Sequence, residues 1–291
     1  MKTLINLINK TLDEYITPQY PKKIFESMKY TLSLPGKRLR PVMCLETTRM
    51  LGGKIESALP TACAIEMLHV QSLIHDDLPC MDNDDYRRGQ PSNHKVFGEA
   101  NAVLAGDALL TLAPQIIIEK SKDLTNEQIV RILHEYTKFA GAYGLIAGQV
   151  ADIESEGGNF AMSSEDTLKF IHMNKTAVLF RLAMRTGAII SNSSNETLED
   201  LDNFAKSFGL AFQIYDDIMD EVSSFEEMGK TIGKDKNSQK LTYVSLYGLK
   251  TSKNKFKEYI DNCYDIIKKY DTTIIIEIIN KLKNRILEGE D

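Results

Sequence analysis

The stretch LDNFAKSFGLAFQIYDDIMDEV, residues 201–222, carries apolar side chains at intervals of three and four residues. This spacing predicts an α-helix, because positions three and four apart share one face of a helix, whereas every second position shares one face of a strand. The apolar residues cover most sides of the predicted helix, which indicates that it is buried. They are Leu201, Phe204, Ala205, Phe208, Ala211, Phe212, Tyr215, Ile218, Met219 and Val222.

The distribution of proline extends this prediction to the rest of the chain. All eight prolines lie at or before Pro114, and none occurs in the 177 residues that follow. Proline is the strongest helix breaker, so its absence favours helices throughout the second part of the chain. Glycine and polar clusters separate the predicted helices, but none is long enough to be a domain linker. We therefore predict an all-α protein of ten or more helices, with a single domain over residues 1–291.

The composition is that of an ordinary globular protein, with 43% hydrophobic and 26% charged residues. The net charge of −6 and the lack of a long basic block argue against nucleic acid or an anionic membrane surface as a partner. No apolar run approaches the roughly 18 residues of a membrane span, and residues 1–16 indicate an amphipathic helix rather than a signal peptide. The four cysteines have no metal-type spacing. We therefore expect a cytoplasmic protein with reduced thiols.

Five aspartates and two arginines lie within DDLPCMDNDDYRRG, residues 76–89. The helical pattern before this segment begins at Pro60 and continues to the aspartates, and Pro79 then forces the chain out of the helix. Asp76 and Asp77 are therefore predicted at a helix C-terminus, where the helix dipole disfavours negative charge. Stability alone would favour Lys or Arg at these positions, so the carboxylates indicate a function.

A second acidic cluster lies on the long helix predicted over residues 201–222. Asp216 and Asp220 are four residues apart and lie on one face, with Gln213 earlier in the same polar stripe. Burial of unpaired carboxylates is costly, so this stripe must face a cavity, a partner or an ion. Magnesium suits both clusters, because it prefers oxygen ligands and is usually held by one or two carboxylates and substrate phosphates. The alternative for either cluster alone is a solvated helix face.

Basic residues lie on segments next to both acidic clusters. Each of them taken singly is more typical of a surface charge than of a ligand. As a set, they indicate a substrate rich in phosphate oxygens, because arginine and lysine are the residues that bind phosphate. No GxxxxGK[ST] motif occurs, so a nucleotide is not favoured. The basic residues are Lys37, Arg38, Arg40, Arg87, Arg88, Lys175, Lys230, Lys234 and Lys240.

Four motifs, in this order along the chain, resemble those of the trans-isoprenyl diphosphate synthases. GKRLRP (36–41) resembles the N-terminal basic motif of that family, and LIHDDLPCMDNDDYRRG (73–89) resembles the first aspartate-rich motif. NKTA (174–177) resembles the short motif that follows, and FQIYDDIMD (212–220) the second aspartate-rich motif. The resemblance covers about residues 30–245. It implies an isoprenoid synthase fold of mostly antiparallel helices around a deep central cavity, and a homodimer.

The resemblance also implies a reaction, in which an allylic diphosphate is condensed with isopentenyl diphosphate with the help of three Mg²⁺ ions. The implied metal ligands are Asp76, Asp77, Asp82, Asp216, Asp217 and Asp220. The implied ligands of the allylic diphosphate are Arg87, Lys175, Lys230 and Lys240. The implied ligands of isopentenyl diphosphate are Lys37, Arg40, His69 and Arg88. Thr176 and Gln213 would direct oxygens toward the developing cation, so that the catalytic set is Lys175, Thr176 and Gln213.

The resemblance also implies that Gln71 and its neighbour Ser72 control the length of the product. Four residues separate Asp77 from Asp82, a spacing that accompanies bacterial farnesyl and plant geranylgeranyl synthases. Gln71 lies five residues before Asp76, where bacterial farnesyl synthases usually have an aromatic residue and plant geranylgeranyl synthases often have methionine. One helical turn is about 5.4 Å long, close to one isoprene unit, so a single side chain could decide the length. We expect farnesyl diphosphate (C15), with geranylgeranyl diphosphate (C20) as the alternative.

Three other functions are compatible with parts of the pattern. A terpene cyclase would also ionise a diphosphate, but cyclases bind one diphosphate and usually have a mixed Asn/Ser/Glu second motif. A metal phosphohydrolase would use His75 and Asp76 as a ligand pair, and would need further histidines at helical spacing, which His134 and His172 do not clearly supply. A helical interaction module without catalysis would leave the two acidic clusters unexplained.

Overall fold

The computed structural model describes residues 1–156, 162–222 and 241–287. Over these residues the chain forms more than ten α-helices, which confirms the all-α prediction. The chain divides into two compact units, Met1–His134 and Glu135–Asp291. The extent of the predicted single domain stays a prediction.

The first unit is built around the contact between two 22-residue helices, α4 and α6. Its helices are α1 (Lys2–Tyr15), α2 (Lys22–Ser33), α3 (Leu39–Met50), α4 (Ile55–Asp76), α5 (Asn93–Phe97) and α6 (Glu99–Lys120). A short hairpin precedes α5 and consists of β1 (Tyr86–Arg87) and β2 (Gln90–Pro91). The boundary between the units falls within α7 (Asn126–Ala140).

The second unit is built around α11, which contacts the helices on either side of it in the chain. Its described helices are α8 (Leu145–Ser155), α9 (Ser164–Ile171), α10 (Val178–Ile190), α11 (Asn195–Val222), α12 (Tyr243–Tyr247), α13 (Leu249–Ile267) and α14 (Thr273–Leu287). A π-helical segment, His172–Ala177, joins α9 directly to α10.

Helix α11 confirms the helix predicted from the apolar spacing and begins six residues earlier, at Asn195. Phe204 and Phe208 are fully buried. Phe208 packs edge-to-face on Phe180 of α10, with ring centroids 4.9 Å apart. Burial of an aromatic side chain contributes about 1.5–3 kcal/mol, so α11 is a main source of stability in the second unit.

Helix α4 ends at Asp76 with Asp77 as its C-cap, as predicted. The prediction that it begins at Pro60 is wrong, because α4 begins at Ile55 and Pro60 lies inside it. Inside a helix, proline cannot donate to the carbonyl oxygen four residues earlier, and its ring crowds that carbonyl. Pro60 therefore costs α4 its bond to Glu56, but the helix still includes the five residues before the proline.

The hairpin β1–β2 was not predicted. Its strands pair Tyr86 with Pro91 and Arg87 with Gln90, which is too short a ladder to produce an alternating pattern. The two turn residues, Arg88 and Gly89, have φ angles of 54° and 77°. Positive φ at both central positions is the feature of the type I′ turn. The hairpin thus holds the arginine pair of the first acidic motif in a defined turn.

Helix α6 is the one helix among the described residues that is long and apolar enough to cross a membrane. A core helix can meet the same criterion, so this is weak evidence for a span, and 39% of its most apolar window is buried. The inner face of α6 approaches α4 closely, since a Cβ on Gly106 would lie 2.0 Å from His75 Nε2. Packing against α4 therefore accounts for part of its apolar character.

Candidate active site

The first acidic motif folds back onto the end of α4 through backbone hydrogen bonds. The N–H of Asp82 donates to the carbonyl oxygen of Asp76 (2.8 Å), and the N–H of Asp84 donates to that of Asp77 (3.2 Å). Asp76 and Asp82, six residues apart in the sequence, therefore have adjacent backbones. Both residues are partly exposed.

Asp77 differs from Asp76 because its side chain is buried and paired with Arg87. The guanidinium of Arg87 donates from Nε to Asp77 Oδ1 (3.0 Å) and also from Nη2 to the same oxygen. Burial raises the pKa of Asp77, an effect that the bonds from Arg87 only partly offset. Burial opposes the charge of Arg87, but the bonds to Asp77 outweigh it and raise the pKa of Arg87. Asp77 therefore acts in this structure as an anchor for Arg87.

The first unit brings together three residues that were predicted to bind isopentenyl diphosphate, namely Arg40, His69 and Arg88. Arg40 Nη1 is 3.5 Å from His69 Nε2. Burial, and then the positive charges of Arg40 and Arg88, hold the pKa of His69 well below its usual value. His69 is therefore neutral at pH 7 and can donate a hydrogen bond without adding charge. Two arginines around a neutral histidine form a favourable environment for a phosphate group.

A buried ion pair anchors this basic cluster. Arg38 Nη1 donates to Glu66 Oε1 of α4 at 2.8 Å, and both side chains are only 2% exposed. Arg38 also donates to the carbonyl oxygen of Leu34 (3.1 Å) and has a left-handed φ of 47°. Since α3 begins at the next residue, the ion pair fixes the start of the helix that carries Arg40.

Gln71 is hydrogen-bonded along α4 to His75, with Gln71 Nε2 3.0 Å from His75 Nδ1. His75 Nε2 lies 3.0 Å from the carbonyl oxygen of Val103 in α6. A carbonyl oxygen only accepts, so His75 donates from Nε2 and accepts from Gln71 at Nδ1. Both ring nitrogens of His75 are therefore engaged, which does not fit the metal pair of a phosphohydrolase. The neighbouring Ser72 donates from Oγ to the carbonyl oxygen of His69 (2.8 Å).

In the second unit, the NKTA motif lies in the π-helical turn His172–Ala177. Two glycines allow neighbouring helices to approach this turn closely. A Cβ on Gly148 of α8 would lie 2.4 Å from the backbone nitrogen of Lys175, and one on Gly209 of α11 would lie 2.3 Å from the Cβ of Ala177. Single π turns inside helices are frequent at functional sites, and the sequence contained no signal for this one.

Lys175 and Thr176 are adjacent in the turn but contact different helices. Lys175 Nζ donates to Oδ2 of Asp152, a buried residue of α8, at 2.6 Å. Thr176 Oγ1 donates to Oε1 of Gln213 in α11 at 2.6 Å. Thr176 and Gln213, which were predicted to act together, are therefore in direct contact.

The three aspartates of α11 occupy two environments. Asp216 and Asp220 are partly exposed, as is Gln213 on the same face, whereas Asp217 is buried. Asp217 Oδ1 accepts a hydrogen bond from Gln213 Nε2 (2.9 Å), and its Oδ2 accepts one from the backbone N–H of Tyr243 in α12 (2.8 Å). Asp216 and Asp220 are thus partly accessible, whereas Asp217 is directed into the protein.

The model of the polyprenyl synthetase family matches residues 21–282, which is most of the chain and includes all four motifs. The chain belongs to this family. The resemblance to the trans-isoprenyl diphosphate synthases is thereby confirmed, and the protein is a prenyltransferase.

Relatives of known name and structure agree with this assignment. Geranylgeranyl pyrophosphate synthase 7, chloroplastic, of Arabidopsis thaliana is 46% identical over 268 residues, which cover 92% of this chain and 77% of that protein. Geranylgeranyl diphosphate synthase of Cyanophora paradoxa is 41% identical over 96% of this chain and 93% of its own length. The apo crystal structure of an FPP/GFPP synthase from Zymomonas mobilis is 30% identical, with a TM-score of 0.83 over 99% of this chain and 96% of that one. The predicted isoprenoid synthase fold is therefore confirmed.

The remaining predicted ligands of this polyprenyl synthetase are three lysines. Lys230 and Lys240 fall in residues 223–240, outside the described part of the chain. Lys37 is exposed and lies next to the buried Arg38.

The sequence analysis did not identify Asp152, the buried partner of Lys175. A lone aspartate on a helix has the same sequence pattern whether it is solvated or paired.

The partly exposed carboxylates fit magnesium, which is usually held by one or two carboxylates and substrate phosphates. Within residues 1–156, 162–222 and 241–287, no three His, Cys, Asp or Glu residues are grouped closely enough to form a metal site by themselves. The carboxylates that fit best are those of Asp76, Asp82, Asp216 and Asp220. Asp77 and Asp217 fit less well, because both residues are buried. The ligand role of all six aspartates stays a prediction.

We expect Gly148→Ala to lower the free energy of unfolding by about 1–3 kcal/mol, because the added methyl group overlaps the backbone of Lys175. The same shift should reduce the rate of catalysis. Urea unfolding and steady-state kinetics measure both effects. The control Ala151→Ser adds one atom at a partly exposed position of the same helix and should change neither. Wild-type stability of Gly148→Ala would show that α8 and the π turn are not in contact.

Proposed function

We propose that this polyprenyl synthetase is a magnesium-dependent geranylgeranyl diphosphate synthase, which extends an allylic diphosphate with isopentenyl diphosphate to a C20 product. Two of the three relatives named above are geranylgeranyl diphosphate synthases, at 46% and 41% identity, and the third, at 30%, is an FPP/GFPP synthase. The first two support C20 better than the C15 product expected from the sequence. The observation in this chain that carries the proposal is Gln71, a non-aromatic residue whose amide is held by His75 along α4.

Ionisation of the allylic diphosphate is the step that the acidic motifs would serve. Magnesium, when bound, would neutralise the charge that builds on the leaving diphosphate. We propose that three ions are bound in all, with Asp76 and Asp82 as ligands from the first unit and Asp216 and Asp220 as ligands from the second, and with diphosphate oxygens as the other ligands. Arg87, which Asp77 holds in place, would donate hydrogen bonds to the same diphosphate.

The basic cluster of Arg40, His69 and Arg88 would bind isopentenyl diphosphate. The two arginines supply positive charge. The neutral His69 faces Arg40 with Nε2 as the acceptor, so its proton is on Nδ1, where it can donate a hydrogen bond without adding charge. The buried pair of Arg38 and Glu66 keeps the cluster in place without substrate. Such preorganisation lowers the entropic cost of binding.

The proposed condensation requires no side-chain nucleophile. The allylic carbon–oxygen bond breaks, and both of its electrons leave with the diphosphate. The double bond of isopentenyl diphosphate then forms the new carbon–carbon bond, and a proton passes to the released pyrophosphate. Thr176 and Gln213 would direct oxygen lone pairs at the allylic cation, which is the kind of fixed electrostatic stabilisation that lowers such barriers.

One assay tests this proposal against its alternatives. The protein is incubated with Mg²⁺, isopentenyl diphosphate and, in separate reactions, dimethylallyl, geranyl or farnesyl diphosphate, and the products are separated by chain length. A C20 diphosphate is the expected product. A C15 end product would favour a farnesyl diphosphate synthase, and a cyclic hydrocarbon would favour a cyclase. Free phosphate without a new carbon–carbon bond would favour a hydrolase, and no reaction would favour an interaction module.

Gln71→Tyr is expected to shorten the main product from C20 to C15. The tyrosine ring would add bulk on the turn of α4 that precedes Asp76, and one helical turn corresponds to about one isoprene unit. Chromatography of the dephosphorylated products measures the change. Gln71→Met, which keeps a long unbranched side chain, is the matched control and should still yield C20. An unchanged product in Gln71→Tyr would mean that another residue closes the product cavity.

We also propose that the protein works as a homodimer, as the family resemblance implies. Ile146, Val150 and Ile153 form an apolar stripe on α8, and they are 50%, 48% and 41% exposed. A second copy could cover this stripe, because exposed apolar patches often mark interaction sites. Analytical ultracentrifugation should detect a dimer for the wild type and a larger monomer fraction for Val150→Lys. A monomeric wild type at micromolar concentration would contradict the proposal.

A further inference from the structure

Asp217 is the one aspartate of the second acidic motif that is directed into the protein. Its Oδ1 accepts from Gln213 Nε2 at 2.9 Å, and its Oδ2 accepts from the backbone N–H of Tyr243 at 2.8 Å. An ionised carboxylate can only accept hydrogen bonds. Gln213 must therefore turn its amide nitrogen toward Asp217. The orientation of this amide is fixed because its nitrogen donates and the carboxylate accepts.

The fixed amide determines the direction of a second group. With Nε2 held by Asp217, Gln213 presents Oε1 to Thr176, whose Oγ1 lies 2.6 Å away. An amide oxygen only accepts, so the hydroxyl group of Thr176 must donate its single proton to Gln213. The lone pairs of the Thr176 oxygen then remain for another partner. A developing allylic cation requires lone pairs of this kind and is disfavoured by an O–H or N–H proton.

We propose that Asp217 is a positioning residue, which orients the Gln213 amide and, through it, the Thr176 hydroxyl group, so that oxygens rather than protons are directed at the allylic cation. This inference rests on the proposed function. It assigns Asp217 a role different from the metal-ligand role that the motif resemblance implied, because Asp217 acts on the reaction through two neighbouring side chains. Asp216 and Asp220 keep the role of metal ligands.

The variant Asp217→Asn should reverse this orientation. The backbone N–H of Tyr243 requires an oxygen as its acceptor, so the new amide must turn its nitrogen toward Gln213. Gln213 would then flip to accept at Oε1 and would present Nε2 to Thr176. The Thr176 oxygen would become an acceptor, and its proton would turn outward. We expect kcat to fall roughly 10²-fold, as when one preorganised group is lost from an active site.

Three readouts distinguish positioning from metal binding or a general structural role. In Asp217→Asn, the KM values and the Mg²⁺ concentration that gives half the maximal rate should stay within about twofold of wild type, because no ligand has been removed. The double variant Asp217→Asn/Gln213→Glu exchanges acid and amide. Its carboxylate at position 213 again accepts from both neighbours, so we expect it to recover most of the lost kcat. Circular dichroism checks that both variants are folded.

A further readout does not depend on turnover. In wild-type protein, NMR should show weak or no nuclear Overhauser effects between the Gln213 Nε2 protons and the Thr176 side chain, and in Asp217→Asn these effects should become strong. If the wild type forms no carbon–carbon bond, the proposed function fails, while the NMR comparison still tests the orientation. Wild-type kcat in Asp217→Asn would overturn the inference. A raised Mg²⁺ requirement with no recovery in the double variant would also overturn it, in favour of a metal ligand.

Discussion

Asp76→Asn is expected to lower kcat by roughly 10³-fold while the protein remains folded. The substitution removes a carboxylate that we assign to magnesium, and metal ions contribute several kcal/mol of charge stabilisation, at about 1.4 kcal/mol for each factor of ten in rate. Asp76 is the last residue of α4. Loss of its negative charge should leave stability unchanged or raise it, because a helix C-terminus disfavours anions. Steady-state kinetics and thermal unfolding measure the two effects.

Asp85→Asn is the matched control for this experiment. Asp85 belongs to the same acidic segment, but its exposed carboxylate pairs with Lys95 at 2.7 Å. Exposed ion pairs contribute little to stability, so we expect wild-type activity and a nearly unchanged melting temperature. Wild-type turnover in Asp76→Asn would remove the metal assignment. Equal losses in both variants would mean that general charge in this segment, rather than a specific ligand, is responsible.

Glu66→Ala is expected to lower the free energy of unfolding by about 3–5 kcal/mol, because it leaves the guanidinium of Arg38 buried without its counter-ion. A protein of this kind has only about 5–15 kcal/mol of total stability. Part of the population should therefore unfold well below the melting temperature of the wild type. Urea unfolding followed by circular dichroism measures the change.

Two further variants test this explanation. The double variant Arg38→Met/Glu66→Met removes both charges and should be more stable than Glu66→Ala, because no unpaired charge remains buried. It should still be less stable than wild type, since Arg38 also donates to the carbonyl oxygen of Leu34. Glu14→Ala breaks the exposed pair with Lys10 and should have little effect. A Glu66→Ala protein as stable as Glu14→Ala would mean that water reaches Arg38.

Most of the helical fold could be predicted from apolar spacing and from the positions of proline. These signals identified α11 and the end of α4, because each depends on residues close together in the chain. They misplaced the start of α4 and missed the hairpin at Tyr86–Pro91. The hairpin was missed because two-residue strands have no periodicity. The π turn at His172–Ala177 was missed because it depends on glycines of two other helices.

In the candidate site, the sequence identified the types of residue, and the structure identified their partners. The sequence motifs predicted the same metal-ligand role for Asp77, Asp217 and their acidic neighbours, since all of these residues are carboxylates at regular spacing. The structure separates them, because Asp77 pairs with Arg87 and Asp217 accepts hydrogen bonds from Gln213 and from a backbone N–H. The backbone N–H of Tyr243 comes from another helix, and a contact of this kind cannot be predicted from the sequence pattern.

The sequence by itself determined the helical class, the order of four motifs and the kind of chemistry, because periodicity and residue type are local properties of the chain. Tertiary structure decided which carboxylates are buried, that the pKa of His69 is lowered, and which way the Gln213 amide points. These properties depend on burial and on partners from distant segments. The physical reason is that desolvation and hydrogen bonding act between groups that only the folded chain brings together.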